Sequence, residues 1–185
     1  MIGQHFILGF DGDRVPTWLR EVATRFGLGG VILFDYSVPR KSRENNICDP
    51  EQLKGLCQEL RALPSSPLVV VDQEGGKVRR LKEDRGFAPL RSAEDAATLD
   101  PAIRQAQWQR ACEEMAALGI SMNLAPVIDI NTNPDNPDIG AIGRSFSAKT
   151  QETRQLAEEF LAISEAAGLG CALKHYPGLG GARVN

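Results

Sequence analysis

The chain has 185 residues, with 24 acidic against 21 basic side chains and a formal net charge of −3. Hydrophobic residues make up 42% and charged residues 24%, an ordinary globular composition, and 18 Gly with 11 Pro fall well short of low complexity. Lys and Arg form no long stripe that would mark a nucleic-acid partner, and no apolar run approaches the about 18 residues of a membrane span.

Five short apolar runs read as strands: Phe6–Phe10, Gly30–Phe34, Leu68–Asp72, Met122–Asp129 and Cys171–His175. They are nearly continuous in hydrophobicity, as in GVILF and VVVD, which is the pattern of parallel strands buried on both faces. Between them lie four helical periodicities. Leu19, Val22, Ala23 and Phe26 mark the first, and Leu53, Leu56, Cys57 and Leu60 the second. Trp108, Cys112 and Met115 mark the third, and Leu156, Phe160, Ile163 and Ala167 the fourth. Asp49-Pro50 and Asp100-Pro101 read as helix starts, with Asp as the cap and Pro in the first turn.

Three helices end in the same connector, Phe26-Gly27-Leu28, Leu118-Gly119-Ile120 and Ala167-Gly168-Leu169, each followed by a strand. A Gly just past a helix can take the left-handed conformation that closes the last turn. The alternation βαβαβαβαβ, with right-handed crossovers, predicts a parallel α/β layer in one domain. Two connections, Asp35–Asp49 and Gln73–Asp100, exceed the usual length and read as functional loops. The N-terminal MIGQHFILGFDGD lacks the basic region and apolar length of a signal peptide. Cys48, Cys57, Cys112 and Cys171 form no C-x-x-C pair and read as reduced thiols, which suits a cytoplasmic location. His5 and His175 are the two histidines, too few for a His-rich metal site.

Chemistry collects where the strands end. Asp11, Asp35, Asp72 and Asp129 follow the first four, and Lys174-His175 closes the fifth. In parallel α/β folds ligands bind beyond the carboxyl ends of the strands, so these positions predict one shared mouth. The sharpest stretch is Val71-Asp72-Gln73-Glu74-Gly75-Gly76-Lys77-Val78-Arg79-Arg80, where carboxylates and a guanidinium flank a Gly-Gly turn. Such a set offers both acceptors and donors to a ligand dense in hydroxyls. Lys174 ends an apolar strand, and a buried cation there needs a partner; Asp72 and Asp129 are the expected ones, or a bound ligand. Asn131–Arg144 is a Pro/Asn/Asp/Gly-rich loop that presents Arg144 on the same side.

VDQEGGKVRR, NLAPVIDI with NPDNPDIGAIGRSF, and KHYPGLG occur together and in this order. In this the chain resembles the N-terminal domain of family 3 glycoside hydrolases, most of all the bacterial β-N-acetylglucosaminidases (β-N-acetylhexosaminidases) that work on cell-wall fragments. The similarity runs over essentially all of residues 1–185, taken as a single domain of this kind. It implies a (β/α)8 TIM-barrel type of fold, of which about the first five strands and four helices are present. It also implies retaining hydrolysis of a terminal β-linked N-acetylglucosamine, without metal or organic cofactor, and leaves the substrate open between a muropeptide, chitobiose and another β-glucosaminide.

Carried over by resemblance, the sugar-binding positions are Asp72, Arg80, Arg144, Lys174 and His175. Asp72 accepts from hydroxyls of the non-reducing sugar, Lys174 and His175 hold hydroxyls of the same ring, and Arg80 and Arg144 brace the pocket. Glu74 is read as supporting the Gly-Gly turn. The family's nucleophilic Asp has no counterpart in these residues, and its acid/base Asp-Ser-His element would begin at Asn185. A two-carboxyl double displacement is therefore not expected of this sequence alone. About five strands of an eight-stranded barrel would leave two open sheet edges, so the alternative is a non-catalytic sugar-binding half-barrel that self-associates. A flavodoxin-type domain fits less well, because Gly9-Phe10-Asp11-Gly12-Asp13 carries acids where a phosphate would sit.

Overall fold

In the computed structural model, which describes residues 1–183, helices and strands alternate as expected except between the third and fourth strands, where two helices follow one another. The elements are β1 (Ile7–Leu8), α1 (Thr17–Phe26), β2 (Gly30–Leu33), α2 (Pro50–Arg61), β3 (Leu68–Val71), α3 (Ala93–Thr98), α4 (Pro101–Leu118), β4 (Met122–Asn123), α5 (Thr150–Ala166) and β5 (Gly170–Cys171). The hydrogen-bonded strand order follows the chain, β1-β2-β3-β4-β5. The chain divides into two compact units: the first holds Met1–Val71, Arg80–Phe87 and Met115–Met122, the second Asp72–Arg79, Ala88–Glu114 and Asn123 onward.

The first unit is built on β1, β2 and β3. They pair in parallel, with Ile7 opposite Gly30 and Leu33 opposite Val71. Leu19 and Ala23 of α1 and Leu53, Leu56, Cys57 and Leu60 of α2 are buried, as are Val31, Leu33 and Val69–Val71 of the strands. Each such Leu or Val contributes about 1.5–3 kcal/mol by leaving water. Asp49 caps α2 as expected, its carboxylate accepting from Gln52 N at 2.9 Å, with Pro50 opening the helix. Gly27 and Gly119 follow their helices at φ 76° and 94°, the left-handed region in which a side chain is unfavourable. Burial pushes the Cys57 thiol up to about 12, which leaves it inert at neutral pH.

In the second unit Trp108 of α4 meets Phe146 and Phe160 edge-on, at ring-centre distances of 5.9 and 5.3 Å. Arg104 lies over the same indole at 5.6 Å and pairs with Glu159 at 2.9 Å. The buried face of α5 is Thr153, Ala157, Phe160 and Ser164. It is turned from the expected Leu156–Phe160–Ile163–Ala167 stripe, because the small Ala157 and Ser164 allow close approach; Ser164 Oγ lies 3.3 Å from Cys112 Sγ.

Two further expectations need correction. The long connection Gln73–Asp100 holds the short helix α3, capped by Ser92 Oγ accepting from Asp95 N at 3.1 Å. Six residues are too few to display a helical period, so five α-helices stand where four were expected. The strands are also shorter than their apolar runs. In Met122–Asp129 the ladder stops at Asn123, because Pro126 has no N–H to donate. Pairing resumes beyond it as a single bridge from Val127 to Lys174, with Ile128 N donating to Lys174 O at 2.7 Å.

Candidate functional site

Asp72, Arg144, Lys174 and His175 come together in the second unit, joined through Glu74 and Asp129. Lys174 Nζ lies 2.7 Å from Asp72 Oδ1 and 2.6 Å from Glu74 Oε1. Arg144 forks onto the same Glu74, Nε to Oε2 at 2.7 Å and Nη2 to Oε1 at 2.8 Å, and donates through Nη1 to the Asp138 carbonyl at 2.9 Å. Nη2 also stands 3.1 Å from His175 Nε2. On the other side of the ring, Nδ1 lies 2.6 Å from Asp129 Oδ2. The cation at the end of β5 thus finds the acid from the β3 end, and the neighbouring imidazole the acid from the β4 end.

Local backbone explains the convergence. Asn123 Oδ1 accepts from Gln73 N at 3.0 Å, and Asn123 Nδ2 donates to Gln73 O at 2.9 Å. This fully buried amide stands in for a strand partner and carries the chain straight into Asp72 and Glu74. Behind them the Gly-Gly turn sits tight against the segment before α3. A Cβ on Gly75 would lie 1.9 Å from the Arg91 carbonyl oxygen, so no side chain fits there. Gly76 N donates to Leu90 O at 3.1 Å. The Lys174–His175 and Tyr176–Pro177 peptides are cis.

The turn is held by backbone, and the Glu74 side chain has a different task from the one expected of it. Only 5% exposed, it is the acid shared by Arg144 and Lys174. Burial pulls the Arg144 guanidinium down, but Glu74, with Asp129 and Asp72 behind it, outweighs burial and holds it above its ordinary value. Burial pushes the Asp129 carboxyl up, yet the His175 ring, the Leu179 amide and the His175 amide together hold it below the usual carboxylate range. Three carboxylates therefore face two cations and an imidazole. Asp72 and Lys174 are each 17% exposed and His175 26%, so part of the network is open to a ligand, and it offers both donors and acceptors. A cleft of about 400 Å³ opens beside it, lined by Asp129, Thr132, His175, Tyr176, Gly178 and Gly180.

Arg80 belongs to the first unit. Its guanidinium lies 4.0 Å from Asp35 Oδ1 and 5.5 Å over the Phe34 ring, while Lys82 Nζ approaches Asp35 Oδ2 at 2.5 Å. Asp35 is buried; Asp11 is exposed and lines a cleft of about 310 Å³ with Phe34, Tyr36 and Asn45. Asn185, at the position expected for the acid/base element, lies outside the described residues. Among the described residues no three His, Cys, Asp or Glu side chains gather to hold a metal ion, and no helix is long and apolar enough to cross a membrane. Asp72 and Asp129, the acids expected to partner the Lys174-His175 end, are both in the network. Glu74, expected to support the Gly-Gly turn, is the member whose place in it the sequence does not show.

Residues 9–185 match the glycosyl hydrolase family 3 N terminal domain. The chain is 32% identical to beta-hexosaminidase A of Pseudoalteromonas piscicida, over all of this chain and 33% of that protein. It is also 32% identical to a beta-hexosaminidase of Pseudomonas aeruginosa, over 94% of this chain and 50% of that one. Among solved structures, a glycoside hydrolase family 3 beta-N-acetylglucosaminidase from Paenibacillus sp. superposes with a TM-score of 0.81 at 33% identity, over 97% of this chain and 33% of that chain. The chain thus spans from a third to half the length of these relatives. Its five parallel strands and their helices are of the α/β kind found in such barrel-type domains. By this match, and by the motifs that build the network, the chain belongs to glycosyl hydrolase family 3, within its N-terminal domain.

Proposed function

We propose that this chain forms the sugar-binding part of a glycoside hydrolase that releases terminal β-linked N-acetylglucosamine with retention. The observation that carries the reading is the ion-pair network around Glu74 and Lys174, part of it open to ligand. Asp72 accepts from sugar hydroxyls. Lys174 and Arg144 donate to hydroxyl oxygens, and Glu74 with Asp72 and Asp129 already balances their charge, so the pocket favours a neutral, hydroxyl-rich ring over an anion. His175 adds a further contact on the same ring. The relatives named beta-hexosaminidase and beta-N-acetylglucosaminidase support the choice of sugar. Cell-wall fragments and chitin-type saccharides both carry it.

Neither the nucleophile nor the acid/base of a double displacement is assigned to a described residue. The Glu74 oxygens are engaged by Arg144 and Lys174. The 185-residue polypeptide is therefore expected to bind N-acetylglucosamine in a calorimetric titration without turning over a chromogenic β-N-acetylglucosaminide. Lys174→Ala should abolish the binding. Turnover that disappears with Asp72→Ala would overturn the assignment of roles, and binding unaffected by Lys174→Ala would overturn the site.

A further inference from the structure

The Asp129 carboxylate has no exposed side-chain surface and accepts three N–H groups. Oδ2 takes the His175 ring Nδ1 at 2.6 Å and the His175 amide at 3.1 Å, and Oδ1 takes the Leu179 amide at 2.5 Å. An ionised carboxylate can only accept, so the ring nitrogen facing it carries the hydrogen. In a neutral imidazole Nε2 is then the acceptor. The group 3.1 Å from Nε2 is Arg144 Nη2, which can only donate. Both contacts require the same tautomer, which follows from the partners and not from an observed hydrogen.

The chain after β4 holds the chain after β5 at further points. Asn136 Nδ2 donates to Leu179 O at 2.6 Å and to Ala182 O at 3.0 Å, and Asn133 Nδ2 to Ala182 O at 2.9 Å. Gly180 lies so close to Ile130 that a Cβ would stand 1.9 Å from its carbonyl oxygen. Residues 129–136 thus cradle residues 175–182, and within the cradle Asp129 is the side chain bonded to the imidazole.

We infer that Asp129 is a positioning residue, which sets His175 in the Nδ1–H tautomer and ties the start of its loop so that Nε2 accepts from Arg144 Nη2. The contact of the ring with a ligand rests on the sugar-site reading above; the tautomer does not. It orients its histidine as a buried carboxylate does in a catalytic triad, without itself touching the ligand.

The test is a long-range proton–nitrogen correlation spectrum of the imidazoles at neutral pH, simplified because His5 and His175 are the two histidines. The unmodified chain should show His175 with Nδ1 protonated and Nε2 bare. Both Asp129 oxygens face N–H groups, so the isosteric amide of Asp129→Asn must turn its NH₂ against one of them. That variant should lose the single tautomer, and its Leu179 amide should exchange roughly tenfold or more faster. Asn133→Ala loosens the same loop without touching the ring and should leave the tautomer in place. An Nε2–H tautomer in the unmodified chain would overturn the inference even if Asp129→Asn fails to fold. So would an Asn133→Ala variant that shifts the ring as much as Asp129→Asn does. No saccharide enters these spectra, so a missing sugar site and a wrong tautomer give separate results.

Discussion

The two units satisfy their strand-end acids in different ways. In the first, buried Asp35 meets Lys82 at 2.5 Å and Arg80 at 4.0 Å, and both cations keep a quarter to a third of their side chains in water. In the second, Asp72, Glu74 and Asp129 share Lys174, Arg144 and His175, with Glu74 bound to both cations at 2.6–2.8 Å. A pair with one foot in water can rehydrate when broken. Removing buried Glu74 takes the bidentate carboxylate from Arg144 and leaves Lys174 to Asp72, while the members at the edge remain open to a ligand. The same rule, polar groups at the ends of parallel strands, yields a fold-stabilising contact in one unit and a candidate binding site in the other.

Substitutions break or sharpen that contrast. Glu74→Ala should cost about 3–5 kcal/mol in urea unfolding, because Arg144 loses its buried bidentate counter-charge and Lys174 falls back on Asp72. Asp35→Ala should cost less, about 1–2 kcal/mol, because Lys82 and Arg80, each partly exposed, can rehydrate. Equal costs would erase the distinction. The acid limb of stability should carry Asp129's signature. Its folded pKa lies below the ordinary 3.8, so its contribution is complete above about pH 5 and is lost as pH falls through the depressed value. In Asp129→Asn that segment of the pH–stability curve should flatten. The smallest effects belong to the helix-ending glycines. Gly168→Ala, at φ 72° with open space around its Cβ, should cost about 1 kcal/mol of backbone strain. Gly119→Ala should cost more, because its Cβ would come 3.0 Å from that of Cys57.

Much of this was legible because it is local. The α2 face of Leu53, Leu56, Cys57 and Leu60, the Asp49 cap and the glycine connectors each depend on residues within a turn of one another. The partners of Lys174 and His175 were legible by chemical necessity, since a cation ending an apolar strand must find an acid. The role of Glu74 was not, because its partners lie 70 and 100 positions away and a Gly-Gly turn beside it offered a nearer explanation. Nor was that of Asn123, whose amide does the work of a strand edge at Gln73. Propensity sees neither. Arg80, grouped with the sugar contacts by resemblance, lies in the first unit beside Asp35.

The most direct measurement is a backbone and side-chain NMR titration of the 185-residue chain with N-acetylglucosamine. The account predicts saturable shifts at Asp72, Glu74, Arg144, Lys174 and His175, absent in Lys174→Ala. Saturable binding that moves the resonances of the first unit and leaves those five in place, or no binding at all, would contradict it.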